Sequence, residues 1–264
     1  SRLVDAGSSG QIDRDVRALV GDALSIYRVD AEALAAARPD VIVTQDLCEV
    51  CAVSLDDVRA AAARLAERDH VDVVTLSPTR LDQVLDDVVR LADAIGVRDR
   101  GEHERAALGA RIEEIAARAR APGHRPRVAS IEWLDPIMLG GTWMPDLIDH
   151  AGGEAVGVTA GAHAPTVSVQ ELSALAPDVI LLKPCGFPIE RSLAEADLIS
   201  GLRRNLDAAT RVVLTDGNAY FNRPGPRLVE SLEILAAAVH PAQFQDLAEK
   251  HADALHIIQP GELG

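Results

Sequence analysis

The sequence predicts an α/β protein of two lobes, each built on a mostly parallel sheet, joined by one long spanning helix. Three observations carry this. Short apolar runs follow a Pro-Asp step at Pro39-Asp40-Val41-Ile42-Val43 and again at Pro177-Asp178-Val179-Ile180-Leu181, with helical patterns around them. Each run empties into a loop carrying a cysteine, so the second half weakly repeats the first. Between the halves, residues 102–120 read as one helix that follows another with no strand between. That helix would reach about 30 Å, enough to pass from one lobe to the other. The boundaries drawn are 1–98 for the first lobe, 99–122 for the linking helix and 123–264 for the second lobe.

In chain order, Ile12, Val16, Leu19, Val20 and Leu24 give residues 11–24 helical spacing. Asp30 caps a short helix that Pro39 ends. Strand 40–44 leads to the loop 45–51, and Ser54 with Asp57 resembles a capping pair for a helix through Arg68. Strand 71–75 follows. The next helix opens at Ser77-Pro78, with Leu81, Leu85, Val88, Leu91, Ala92 and Ile95 as its apolar face. Leu108, Ile112, Ile115 and Ala119 stripe the long helix. In the second half, strand 127–131 leads through two tryptophan loops to a helix at 144–151, stopped by Gly152-Gly153. Ser168 and Glu171 form a capping box. Strand 179–182, a helix near 188–199, strand 211–215 and helices near 226–240 and 241–254 complete the pattern. Two such lobes are expected to face each other across a cleft.

The 264 residues, 48% apolar, allow two small cores, and with aromatics at 3% these are made of Ala, Val and Leu. A net charge of −15 argues against nucleic acid or an anionic membrane surface as partner. No apolar run approaches the roughly 20 residues of a membrane span. The start, Ser1-Arg2-Leu3-Val4-Asp5, shows no export signal and no initiator Met, which reads as a processed or truncated chain.

The candidate site residues lie in loops that leave strand ends, where open α/β sheets hold ligands. Trp133 and Trp143, beside Asp135-Pro136 and Gly140-Gly141, are either core anchors or a flat apolar surface for a ligand. Phe187 and the pair Tyr220-Phe221 could line the same pocket for a large planar molecule. Gln45, Asp46 and Asn218 are polar candidates in these loops, and His163 is a possible cleft residue. Cys48-x-x-Cys51 stays open between half a zinc site, a redox pair, a soft ligand to a bound metal centre and two buried side chains. Cys185 ends the equivalent strand of the second lobe and could converge on the same cleft. Asp46, Glu49 and Glu190 are solvated charges or, for Glu49 and Glu190, docking points for a partner. There is no H-E-x-x-H, G-x-S-x-G, Walker loop or G-x-G-x-x-G, and no catalytic constellation, so no enzyme is expected.

These residues also carry a resemblance. Pro39-Asp40-Val41-Ile42-Val43-Thr44-Gln45-Asp46-Leu47-Cys48-Glu49-Val50-Cys51, Ile131-Glu132-Trp133-Leu134-Asp135-Pro136 with Trp143, Lys183-Pro184-Cys185-Gly186-Phe187 and Gly225-Pro226-Arg227-Leu228-Val229 resemble the periplasmic binding proteins of cobalamin and siderophore ABC importers, of the helical-backbone metal receptor type and in their cobalamin-binding branch. The likeness runs from about Ser1 to Leu255. It implies two Rossmann-like lobes on a rigid helix with little hinge closure, a corrinoid ligand between them, and acidic lobe tips that dock on a permease. It places the 45–51 loop, Trp133, Trp143, Phe187 and Tyr220-Phe221 on the ligand, and Glu49 and Glu190 on the permease in rough position only. The implied protein is a monomer with no cofactor of its own, working outside the cytoplasm. Against the family pattern the first lobe lacks its N-terminal strand and helix. The C-x-x-C loop marks a subgroup several of whose members lack export signals, so a cytoplasmic corrinoid carrier or sensor is an alternative. The others are a binding protein for ferric siderophore or haem, and a thiol redox enzyme using Cys48 and Cys51.

Overall fold

Helix α1 (Ser9–Asp22) starts where Ser8 Oγ accepts from the Gln11 amide, and α2 (Ala31–Ala37) starts where Asp30 accepts from the Ala33 amide at 2.9 Å. Strand β1 (Val41–Gln45) follows the Pro39-Asp40 break and pairs in parallel with β2 (Asp72–Leu76), Val41 opposite Asp72 and Gln45 opposite Leu76. Helices α3 (Leu81–Ala94) and α4 (Arg98–Arg120) come next. This computed structural model describes residues 7–22, 30–45, 71–121, 123–259 and 262, and the expected helix through Arg68 lies outside them.

The chain divides into two compact units, Ser1–Pro78 with Asp86–Arg105, and Thr79–Leu85 with Ala106–Gly264. The divisions fall inside α3 and inside α4. In the first unit, α3 and α4 meet at Gly101, where a Cβ would lie 2.4 Å from the Ala92 Cβ. Any larger residue at Gly101 would push the helices apart. Arg90 pairs with Asp87 and donates to the Thr75 carbonyl at 2.9 Å, which ties α3 to β2. Leu81 and Ala92 are buried as the spacing predicts, but Ile95 is exposed, because the helix ends at Ala94 and Gly96 turns the chain at φ 74.

The second unit carries the larger sheet. Its order is β4 (Ile137–Leu139), β3 (Arg127–Leu134), β6 (Val179–Leu182), β7 (Arg211–Thr215), β8 (Leu255–Ile257), with β5 (Glu154–Ala155) also on β3. β3, β6 and β7 run parallel, Ile131 opposite Leu182 and Leu182 opposite Leu214, so their carboxyl ends share one edge of the sheet. β4 and β8 are antiparallel additions that the sequence reading missed. Both are three residues long, too short for their alternation to stand out. Val179, Ile180, Leu181 and Leu182 are all buried, as a strand covered on both faces requires. Helix α5 (Met144–His150) buries Met144, Leu147 and Ile148 and ends at Gly152 with φ 77. Its Asp146 accepts from the Leu81 amide at 3.0 Å and pairs with Arg80, so it caps α3 from another element.

Helix α6 (Val169–Ala174) has the capping box of Ser168 and Glu171. The helix expected near 188–199 is two, α7 (Ile189–Leu193) and α8 (Ala196–Arg203), with Ala194 and Glu195 between. Helix α9 (Leu228–Val239) is apolar nearly all round and buried along its length, and α10 (Gln245–Lys250) is shorter than expected because the chain turns out of it to form β8. The predicted stripe of α4 is buried at Leu108, Ile112, Ile115 and Ala119.

One buried charge interrupts α9. Glu233 is 6% exposed and accepts from Arg111 of α4 at 2.9 Å, Lys250 of α10 at 2.6 Å and His251 at 2.7 Å. Burial opposes its ionisation, but bonds from Lys250, His251 and Arg111 outweigh that and hold its pKa at about 2. The folded value is depressed, so this stabilisation is complete above the ordinary carboxyl value near 4.5 and is lost as pH falls toward 2. Glu233→Gln should lower stability by up to about 3 kcal/mol at neutral pH, and its deficit against the unsubstituted protein should shrink as pH falls through 4 to 3 in urea denaturation.

Candidate functional site

Three loops leave the shared carboxyl edge of β3, β6 and β7, and one buried ammonium holds them together. Lys183, the first residue after β6, is 1% exposed. Its Nζ donates to Glu132 Oε2 at 3.1 Å and to Asn222 Oδ1 at 2.7 Å. Asn222 returns two bonds from Nδ2, to the Lys183 carbonyl at 3.0 Å and the Gly217 carbonyl at 2.7 Å. A buried lysine requires such partners, because desolvation of an unpaired ammonium costs several kcal/mol.

The local backbone is shaped to this contact. Between Ile131 and Trp133 the β3–β4 register shifts, so Glu132 is the extra residue of a bulge. Gly217 lies where a Cβ would come 2.1 Å from the Pro184 carbonyl, so no side chain fits there. Cys185 donates its amide to the Glu132 carbonyl at 3.0 Å, and Gly217 donates to the Phe187 carbonyl at 2.9 Å. Gly141 makes a comparable approach to the 161–164 loop, where a Cβ would lie 2.5 Å from the Ala164 nitrogen. Gly141 therefore serves backbone packing, whereas a Cβ at Gly140 would meet side chains, Ser130 Oγ at 2.4 Å and Lys183 Cε at 3.1 Å.

The predicted aromatic residues separate into two groups. Trp133 lies on β3 rather than in a loop. It is half-buried, donates Nε1 to the Asp135 carbonyl at 3.1 Å, and packs on Phe187 with ring centroids 5.3 Å apart. Trp143, Phe187 and Phe221 are buried, at 6%, 3% and 1% exposed. These three were expected on the ligand, and the structure places their rings inside the second unit. The Trp143 Nε1 is spent on the Phe221 carbonyl at 2.8 Å, and Phe187 is covered by Trp133 and by the Arg191 guanidinium 4.4 Å from its centroid. Tyr220 is half-buried, edge-on to His251 at 6.2 Å, and its phenol is pushed above the ordinary value by burial and then by Glu230 and Asp253.

Among the other candidates, Cys185 and Asn218 are exposed in the second and third loops, and Asn218 donates its amide to Asp216 Oδ1 at 2.8 Å. His163 is exposed in the loop packed on Gly141. Glu190 is exposed in the first turn of α7. Gln45 is exposed at the carboxyl end of β1 in the first unit. Asp46, Cys48, Glu49 and Cys51 lie outside the described residues. The sequence reading assigned no role to Lys183, Glu132 or Asn222. The available signal was the position of Lys183 and Glu132, charged residues set directly after buried strand runs.

Among the described residues, no three His, Cys, Asp or Glu side chains converge as a metal site. Nor is any helix long and apolar enough to cross a membrane. The arrangement is a hydrogen-bonded edge of loops that shows part of an aromatic ring, a phenol, a thiol and an amide, without a nucleophile–base pair among the residues it gathers. The model of the periplasmic binding protein family matches residues 9–208, more than half of the chain. The protein belongs to that family.

No curated protein matches the chain. Among solved structures, a periplasmic heme binding protein from Pseudomonas aeruginosa aligns with TM-score 0.62 at 21% identity over 85% of this chain and 81% of that one. The periplasmic vitamin B12 binding protein BtuF of Vibrio cholerae aligns with TM-score 0.59 at 17% identity over 89% and 92%. An ABC transporter substrate-binding protein from Listeria monocytogenes aligns with TM-score 0.64 at 16% identity over 80% and 81%. At these identities the likeness establishes the two-domain α/β fold. The loop edge of this periplasmic binding protein is expected to depend on Lys183, whose ammonium bonds Glu132 and Asn222. Lys183→Met should cost about 3 kcal/mol in guanidinium denaturation, and Lys183→Met with Glu132→Gln should recover part of it, because the carboxylate is then no longer left without its partner.

Proposed function

We propose that this protein is the substrate-binding component of an ABC importer, working outside the cytoplasm, and that its ligand is a corrinoid. The observation that carries the reading is the loop edge fixed by Lys183, which shows half of Trp133, Tyr220, Cys185 and Asn218 at the carboxyl ends of three parallel strands. A corrinoid rim is lined with amide groups, which a neutral donor and acceptor such as Asn218 suits. A chain with net charge −15 favours such a rim over a strongly anionic one. The family membership and the coverage of the Vibrio cholerae vitamin B12 binding protein support the same class. The protein would carry out no bond-breaking step and hold no cofactor of its own, and Glu190 would be a docking acid for the permease.

A second reading is favoured by one specific feature. Arg223 and Arg227 are exposed in the third loop beside Tyr220, and an arginine pair with a phenol suits the carboxylates and metal of haem. The heme-binding neighbour is consistent with it.

Gel filtration with hydroxocobalamin and, separately, with hemin tests both. Co-elution of the corrinoid, with Trp133→Ala or Asn218→Ala weakening it about tenfold in fluorescence titration, is the expected result. Retention of hemin alone would replace the corrinoid with haem, and retention of neither would remove both.

A further inference from the structure

The third loop contains a residue in a backbone conformation that ordinary side chains avoid. Phe221 has φ 67, in the left-handed region, and is neither Gly nor Asn. Its peptide groups are held on both sides. Its N–H donates to Ser231 Oγ at 2.9 Å, and its carbonyl accepts from Trp143 Nε1 at 2.8 Å. Ser231 Oγ donates onward to the Arg227 carbonyl at 3.2 Å, and Trp143, Phe221 and Ser231 are all buried. The two neighbours of Phe221 have different fates. Asn222 is drawn inward onto Lys183 and Gly217, while Tyr220 stays half-exposed against His251. The Asn222 amide donates to the Tyr220 carbonyl at 2.8 Å and closes a tight turn around Phe221, and the Trp143 and Ser231 bonds hold that turn from outside it.

We infer that Trp143 and Ser231 are positioning residues, which hold Phe221 left-handed and thereby set where Tyr220 meets the ligand. The inference rests on the reading of this loop as a ligand loop, and it turns Trp143 from a ligand surface into the clamp behind one. Trp143→Phe keeps most of the ring volume but removes the donor to the Phe221 carbonyl, and Ser231→Ala removes the acceptor for the Phe221 amide.

Two measurements test it. The sequence has two tyrosines, so in a Tyr27→Phe background the phenol titration followed by ultraviolet absorbance reports Tyr220 alone. Trp143→Phe should lower its midpoint toward the ordinary tyrosine value as the ring leaves its half-buried setting, with circular dichroism unchanged. An unmoved midpoint overturns the inference, and Ser231→Ala supplies the same test where Trp143→Phe does not fold. The second measurement is a double-mutant cycle on affinity for hydroxocobalamin and hemin, read by quenching of Trp133. Tyr220→Ala should weaken binding about tenfold in the unsubstituted protein and less than about threefold beside Trp143→Phe. Additive losses overturn the link to the ligand. A protein that binds neither probe sinks the ligand reading, while the phenol titration still decides whether Trp143 places Tyr220.

Discussion

A single buried charge organises the carboxyl edge of the second unit. The Lys183 ammonium has left water at the end of a fully apolar strand, and the chain answers with Glu132 from the β3 bulge and Asn222 from the loop after β7. Desolvation makes the ammonium intolerant of a missing partner, so all three loops are fixed at once. The bulge at Glu132, the absent side chain at Gly217 and the inward turn of Asn222 are all conditions for that contact. What remains free to meet a ligand is what the contact does not use.

The same logic recurs behind the sheet. Aromatics make up 3% of the chain, so its cores are built from Ala, Val and Leu. Aliphatic cores tolerate repacking and lose uniqueness before they lose stability. Helix α9 is apolar nearly all round and could slide or rotate against its neighbours with little change in area buried. Glu233 removes that freedom, because only one register places its carboxylate on Arg111, Lys250 and His251 together. In both places a buried ion specifies what the greasy surface around it leaves undetermined.

Much of the fold was legible because its signals are local. The capping box of Ser168 and Glu171, the Asp30 cap, the Pro-Asp breaks before β1 and β6 and the stripe of α4 all depend on residues within a turn or two of one another. The misses are non-local or short. β4 and β8 exist because β3 and β7 offer them an edge, and Ala194-Glu195 divides one helical pattern into two helices. At the site, residue type located the right loops but not the roles within them. Lys183 and Asn222 are 39 residues apart, and nothing in either neighbourhood announces the other.

The aromatic residues show why type alone falls short. Trp133 and Trp143 lie in one segment and carry the same ring, yet one is half in solvent and the other inside. The indole N–H separates them. A buried indole must find an acceptor, and where that acceptor lies decides how deep the ring goes. Trp133 reaches the Asp135 carbonyl two residues away in its own hairpin, which leaves a face uncovered. Trp143 reaches across to the Phe221 carbonyl, 78 residues on, and is drawn into the interior by it. The acceptor it finds belongs to Phe221, the positive-φ residue of the loop after β7, so two rings set ten residues apart in one segment end in different settings.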